Sequence, residues 1–289
     1  MLKLSNVTKK YGKTTALDDV SMELSEGECV LLLGANGAGK TTLLQWIMGN
    51  IRAESGRFDW SDGTRQVGYV LQDASLMDRV TIKELIQFTR KMYPDPLSYE
   101  EVLQLSGLTE QAKVKTDHLS IGQKRKLIFA LALVGRPKLL IMDEPTAGMD
   151  VSARKHVYEQ IRQLKQQGMT ILMTTHLLQE ASLLGDRVLF MEKGRLKSDQ
   201  TVSDIEQTHS WIRFDLSGST PRDLLEGAGF QRNGLTLRWE LKTDRSDEWI
   251  TWLVREAVPF RNLTVEKHTV EHFYEELLGK EGIHNENMV

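Results

Sequence analysis

The sequence predicts an α/β protein with a mostly parallel sheet covered on both faces by helices, followed by a small α+β domain. Three observations carry that expectation. Short apolar runs at Cys29–Leu33, 139–142 and 170–174 alternate with helical patterns, as strands buried on both faces do. A glycine-rich segment, 34–39, joins the first run to a helical pattern. Composition then shifts near residue 205: four of the six tryptophans lie beyond it, and 205–289 carries a net charge of −5 against +2 for the rest.

In chain order, residues 2–28 alternate in polarity, with turn signals at Tyr11-Gly12-Lys13 and Ser25-Glu26-Gly27. They read as an antiparallel hairpin or meander feeding the first core strand. A helix follows over 41–48 and a short strand over 67–71. Residues 73–134 form a helical segment interrupted at Pro94 and Pro96, with its last helix over 121–134. The pattern over 152–167 is amphipathic and stops at Gly168, and the strand Arg187–Glu192 turns at Lys193-Gly194. Beyond the boundary come a strand (211–216), a helix (221–227) and two hairpin-like strands (230–232 and 235–241). A helix (247–256), a strand (262–267) and a helix (270–279) complete it. This is a βαββαβ-like accessory domain over 205–289, after a first domain over 1–204, and its tryptophans read as core.

A charged fraction of 27% with only 6 prolines excludes collagen-like and low-complexity architectures. The single cysteine, Cys29, forms no internal disulfide and reads as a small buried hydrophobe. No stretch reaches the roughly 18 continuous apolar residues of a membrane span. Lys3, Asn6, Lys9 and Lys10 break up any secretory signal. The net charge of −3 and the acidic tail argue against nucleic acid as a partner. His118, His156, His209, His268, His272 and His284 lack metal-ligand spacing, and Lys124-Arg125-Lys126 reads as a solvated helix face.

Residues 34–41, GANGAGKT, fit the phosphate-loop pattern G-x-x-x-x-G-K-[ST] between an apolar strand and a helix. Glycines permit backbone conformations closed to other residues, so successive N–H groups form a nest for an anion. The positive end of the following helix faces the same charge. Asn36, Gly37, Ala38, Gly39, Lys40, Thr41 and Thr42 are the nucleotide contacts. Lys40 neutralises the terminal phosphates and the Thr41 hydroxyl ligates Mg²⁺. The run 139–142 ends in Asp143 and Glu144, on the edge of a parallel sheet where ligands bind. Asp143 is placed to hold Mg²⁺, and Glu144 to polarise an attacking water as general base.

Leu119-Ser120-Ile121-Gly122-Gln123, with Ser120 lying 23 residues before Asp143, resembles the signature motif of ABC-transporter ATPase subunits, a family of phosphate-loop NTPases. Tyr11 matches that family's adenine-stacking aromatic, Gln72 its glutamine loop and metal-sensing residue, residues 147–150 ending in Asp150 its D-loop, and His176 its switch histidine. The resemblance covers 2 to about 200. It implies a cassette with an antiparallel β subdomain and a helical subdomain, hydrolysing ATP with Mg²⁺, with Glu144 and His176 catalytic. It also implies two subunits head to tail, a second copy or a homologous ATPase supplying Ser120, Gly122, Gln123 and Asp150 across each ATP. A separate membrane-spanning permease is the implied partner, with the ATPase cytoplasmic and peripherally attached to the inner face of the membrane. Ile121 departs from the family's glycine, but the phosphate contacts fall to Ser120 and Gly122. Within the family, the C-terminal extension ending in a helix over 270–279 is similar to bacterial drug, antibiotic and antimicrobial-peptide exporter ATPases. Importer ATPases, whose accessory domains are β-rich, and soluble ABC proteins are the alternatives.

Overall fold

The computed structural model describes residues 2–60, 66–71, 74–207, 209–218, 222–234 and 236–285, with backbone alone over 278–285. Contacts divide the chain into two compact units, Met1–Asp199 and Gln200–Val289.

In the first unit, β1 (Leu2–Tyr11) and β2 (Thr14–Leu24) pair antiparallel, with Tyr11 opposite Thr14. β3 (Cys29–Leu33) follows, then α1 (Lys40–Ile47) and β4 (Ser55–Trp60), which pairs antiparallel with β1. β4 was not foreseen. Its only inward apolar side chains, Phe58 and Trp60, are too few to register as alternation, and it gains its place by packing Phe58 between Trp46 (5.8 Å) and Trp60 (6.1 Å).

Next come β5 (Val67–Val70), α2 (Ile82–Arg90), α3 (Tyr99–Ser106), α4 (Ile121–Ala132), β6 (Leu139–Asp143), α5 (Val151–Gln166), β7 (Thr170–Thr175), α6 (Leu178–Leu184), β8 (Arg187–Glu192) and β9 (Arg195–Thr201). The six-stranded sheet has the order β5-β6-β7-β3-β8-β9, and the β5–β6, β6–β7, β7–β3 and β3–β8 pairs are parallel. Every residue of β3, β6 and β7 is buried, which is why these segments read as unbroken apolar runs. Each fully buried aliphatic side chain there contributes about 1.5–3 kcal/mol. The strand order has a functional consequence. β3, which leads into the glycine loop, and β6, which ends in the carboxylates, lie on either side of β7, so their C-terminal ends meet at one edge.

Helices α2, α3 and α4 each begin with a capping box: Thr81 with Glu84, Ser98 with Glu101, and Ser120 with Gln123. Pro94 and Pro96 fall between α2 and α3, and Gly107 ends α3 at φ +61°. Ile82, Ile86, Val102 and Leu127 form the separate core of this helical layer.

The second unit runs α7 (Val202–Gln207), β10 (Ser210–Leu216), α8 (Arg222–Gly227), β11 (Gln231–Arg232), β12 (Trp239–Thr243), α9 (Ser246–Arg255), β13 (Phe260–Lys267) and α10 (Val270–Asn285). Its sheet is antiparallel in the order β11-β12-β10-β13. Trp239, Trp249 and Trp252 pack with Phe214, Phe230 and Leu253 into its core. The expected strand over 235–241 is displaced to Trp239–Thr243. Leu237 instead sits in a turn at φ +59°, its N–H bonded to the Asn233 carbonyl, and its side chain is exposed.

Candidate nucleotide and hydrolysis site

The glycine loop leaves β3 with Gly37 at φ +80° and Gly39 at φ +107°. A Cβ on Gly39 would run into the Ala16 carbonyl oxygen and the Met191 methyl, so glycine is required there by both conformation and space. The loop is braced from outside: the Gly194 N–H donates to the Ala38 carbonyl, and the Asp18 N–H to the Gly194 carbonyl, each at 2.9 Å. Helix α1 starts with no side-chain cap and no acidic residue in its first turn, leaving its first N–H groups for an anion. Lys40 is buried, and its Nζ donates to the carbonyls of Gly34 (2.7 Å) and Ala35 (3.2 Å). Burial holds its pKa below the ordinary lysine value, against the opposing pull of Glu144 and Asp143.

A cavity of about 430 Å³ opens here, lined by residues 14–16 of β2, loop residues 36–42, Glu144 and His176. A larger cleft of about 610 Å³, lined by Leu97, Gln104, His156 and Gln160 among others, has neither a glycine loop nor paired carboxylates in its wall. The smaller cavity is the candidate site, since it has the glycine loop, Glu144 and His176 in its wall.

Across from the loop, Asp143 is buried at the end of β6, and its Oδ1 accepts a hydrogen bond from the Thr174 hydroxyl at 2.5 Å. The same hydroxyl accepts from the Glu144 N–H at 3.0 Å. Glu144 sits at φ +45°, a conformation that costs a non-glycine residue about 1–3 kcal/mol and needs such fastening. Further fastening comes from Arg125 of α4, whose Nη1 donates to the Pro145 carbonyl (3.1 Å) and the Glu144 carbonyl (3.5 Å). Thus the middle of the Lys124-Arg125-Lys126 run is not solvated as expected; it is drawn in by two carbonyls that the sequence does not place nearby. The Glu144 Oε2 lies 3.3 Å from the His176 Nδ1, with the carboxylate largely buried and the imidazole half exposed.

The structure therefore brings together residues 36–42, Asp143, Glu144 and His176. Tyr11 is exposed at the end of β1, opposite the cavity residue Thr14, with the Lys9 Nζ 5.1 Å from its ring centroid. Ser120 and Gln123 lie elsewhere, reciprocally bonded at the start of α4 (2.9 and 3.2 Å). A Cβ on Gly122 beside them would come 3.9 Å from the Ala153 methyl, an ordinary contact, and Ile121 points into solvent at 71% exposure, so the departure from glycine displaces nothing. Asp150 caps α5 by accepting from the Ala153 N–H at 2.8 Å. Ser120, Gly122, Gln123 and Asp150 do not line the cavity of their own chain. Gln72 lies outside the described residues. Residues 14–16, Arg125 and Thr174 are the positions that sequence reasoning missed; a hydroxyl inside an otherwise apolar strand was the available signal for Thr174.

Residues 17–147 match the family model described as ABC transporter. The chain is 31% identical to the linearmycin resistance ATP-binding protein LnrL of Bacillus subtilis (strain 168), over 97% of this chain and 99% of that protein. It is 34% identical to a Nod factor export ATP-binding protein I of Mesorhizobium japonicum, over 76% of this chain and 69% of that protein. A spermidine/putrescine import ATP-binding protein PotA of Mycoplasma mycoides subsp. mycoides is 33% identical, over 73% and 65%. Among solved structures, the ATP-binding cassette MJ0796 in a dimeric post-hydrolysis state bound to ADP and Pi superposes with a TM-score of 0.62, at 25% identity, over 70% of this chain and 98% of that one. No helix among the described residues is long and apolar enough to cross a membrane. Loop, carboxylate edge and relatives agree: the chain belongs to the ABC transporter ATP-binding protein family and is an ATP-hydrolysing transporter subunit.

Proposed function

We propose that this subunit powers export of a drug, antibiotic or peptide through a separate membrane-spanning permease. The observation that supports this reading is the match to the linearmycin resistance protein, which runs through the C-terminal unit and covers 97% of this chain, whereas the match to the polyamine import protein covers 73%. In this reading the subunit is held at the inner face of the membrane by that permease, and it pairs with a second copy or a homologous ATPase. Export is tested by deleting the chain together with its permease and measuring drug sensitivity and retention. Increased sensitivity with slower efflux supports the reading. Recovery of the chain as a free protein with no permease, or loss of uptake in place of efflux, overturns it.

The same reading assigns roles at the site. Lys40 and the amides of 36–42 hold the phosphates, and Tyr11 stacks on the base. Thr41 and Asp143, with Gln72, would hold Mg²⁺; hydroxyl and carboxylate oxygens are the hard donors this ion takes. When bound, Mg²⁺ neutralises charge on the terminal phosphate oxygens. Glu144 orients and deprotonates the attacking water, with its carboxylate held by the His176 imidazole at 3.3 Å. Ser120, Gly122, Gln123 and Asp150 serve the partner's nucleotide, which their distance from this chain's own cavity supports. Although the Ser120 oxygen accepts from the Gln123 N–H, its own O–H is left to donate to a γ-phosphate.

A further inference from the structure

Away from the nucleotide site, the second unit gathers two buried histidines and a glutamate whose sequence spacing carries no metal signature. β-Sheet pairing does the gathering. Ser210 of β10 lies opposite Lys267 of β13, and one residue further the His268 N–H donates to the His209 carbonyl at 2.9 Å. The two imidazoles consequently meet with ring centroids 3.9 Å apart. Helix α10 starts two residues after His268 and brings Glu276 over the pair. The Glu276 Oε1 lies 3.8 Å from the His209 Nε2 and 3.5 Å from the His268 Nε2. One ligand atom from each of the three residues falls within 4.8 Å of the others.

Both Nε2 atoms are buried and make no hydrogen bond among the described residues, with His209 only 8% and His268 only 1% exposed. The His268 tautomer follows from its surroundings. Its Nδ1 lies 3.1 Å from the Ile205 carbonyl of α7, which only accepts, so in the neutral ring Nδ1 carries the proton and Nε2 offers a lone pair. That lone pair faces a carboxylate oxygen. In that neutral form the two are ligand atoms 3.5 Å apart that one cation can bridge. The Lys242 Nζ donates to the same oxygen, at 2.5 Å.

We propose that His209, His268 and Glu276 bind one divalent transition-metal ion of the zinc class, with water completing the coordination, and that the ion fastens α10 and α7 to the sheet edge. Zinc–ligand bonds of about 2.0–2.2 Å set neighbouring donors roughly 3.3 Å apart in a tetrahedron; the Glu276 oxygen stands 3.5 and 3.8 Å from the two imidazole nitrogens, and all three ligand atoms lie within 4.8 Å of one another. Two imidazoles with one carboxylate select zinc, cobalt or nickel over magnesium or calcium. Glu276 is partly exposed, which leaves an entry path and room for the water.

The test uses the full chain, stripped with a chelator and titrated with Zn²⁺ against a chromophoric chelator in excess Mg²⁺, which occupies the hard-oxygen site. One ion per chain is expected at this site, and Zn²⁺ should raise the melting temperature. His268→Ala and Glu276→Gln should each weaken binding by at least ~10-fold and abolish the thermal shift. Lys242→Ala removes the competing ammonium and should tighten binding several-fold; because Lys242 is well exposed, this variant decides the matter even where a histidine variant fails to fold. Absence of competitive Zn²⁺ uptake by the wild-type chain, or uptake unchanged in both Glu276→Gln and Lys242→Ala, overturns the proposal.

Discussion

Thr174→Val removes one hydroxyl and preserves side-chain shape, which makes it a sharp probe of how the hydrolysis edge is held. That hydroxyl donates to the Asp143 Oδ1 at 2.5 Å and accepts from the Glu144 N–H at 3.0 Å. Asp143 is only 4% exposed, so water cannot readily replace the lost donor. A hydrogen bond to a charged group is worth about 1.5–3 kcal/mol. The Glu144 N–H retains the Thr174 carbonyl at 3.2 Å, so most of the loss falls on the Asp143 carboxylate and on the register of the two acids. If that loss is felt in the transition state, kcat falls roughly 10- to 100-fold. Stability should fall by a similar energy, a few degrees in melting temperature for a domain of this size. ATP affinity should move much less, since Lys40 and the loop amides are untouched. Phosphate release at saturating Mg·ATP, nucleotide titration and thermal melts separate the three effects, and Thr174→Ser, which restores the hydroxyl, should recover turnover. Wild-type turnover and melting in Thr174→Val would refute the reasoning.

Gly39→Ala should abolish ATP binding, because φ is +107° and the new methyl meets the Ala16 carbonyl; equilibrium titration with labelled nucleotide checks this, and retained affinity contradicts it. Burial pushes the Cys29 thiol from its ordinary 9.0 up to about 12. Its folded value is the raised one, so its contribution to stability is complete below pH 9 and drains away as pH climbs toward 12. A thiol reagent at pH 8 should therefore label Cys29 only at the rate of unfolding, and rapid labelling of the folded chain argues against this burial. Arg125→Ala removes the donor to the Pro145 carbonyl, while the Glu144 carbonyl keeps the Ala147 N–H at 3.1 Å, and should lower kcat several-fold at unchanged ATP affinity; a pure loss of affinity would contradict the positioning role.

How much of this could be read beforehand follows the range of the interactions. The glycine loop and the Asp143–Glu144 pair are local in sequence, and strands buried on both faces announce themselves as unbroken apolar runs, so the parallel sheet and the loop side of the cavity were legible. Arg125 was misjudged because a cation beside two others looks solvated until the tertiary fold presents the Glu144 and Pro145 carbonyls. β4 needed Trp46 as a packing partner before Phe58 and Trp60 made a strand. Leu237 was drawn into a strand by its apolarity, while its positive φ belongs to a turn. The His209–His268 pair was invisible because strand pairing, which ignores sequence distance, sets it.

Glu144→Gln tests the central claim most directly, with turnover and Mg·ATP-dependent dimer formation measured on the same preparation. Glutamine keeps the shape of a side chain that is already largely buried, but it cannot take a proton from water. The account predicts hydrolysis reduced to background, ATP still bound, and a stable nucleotide-bound dimer in sedimentation. Turnover at the wild-type rate would contradict it.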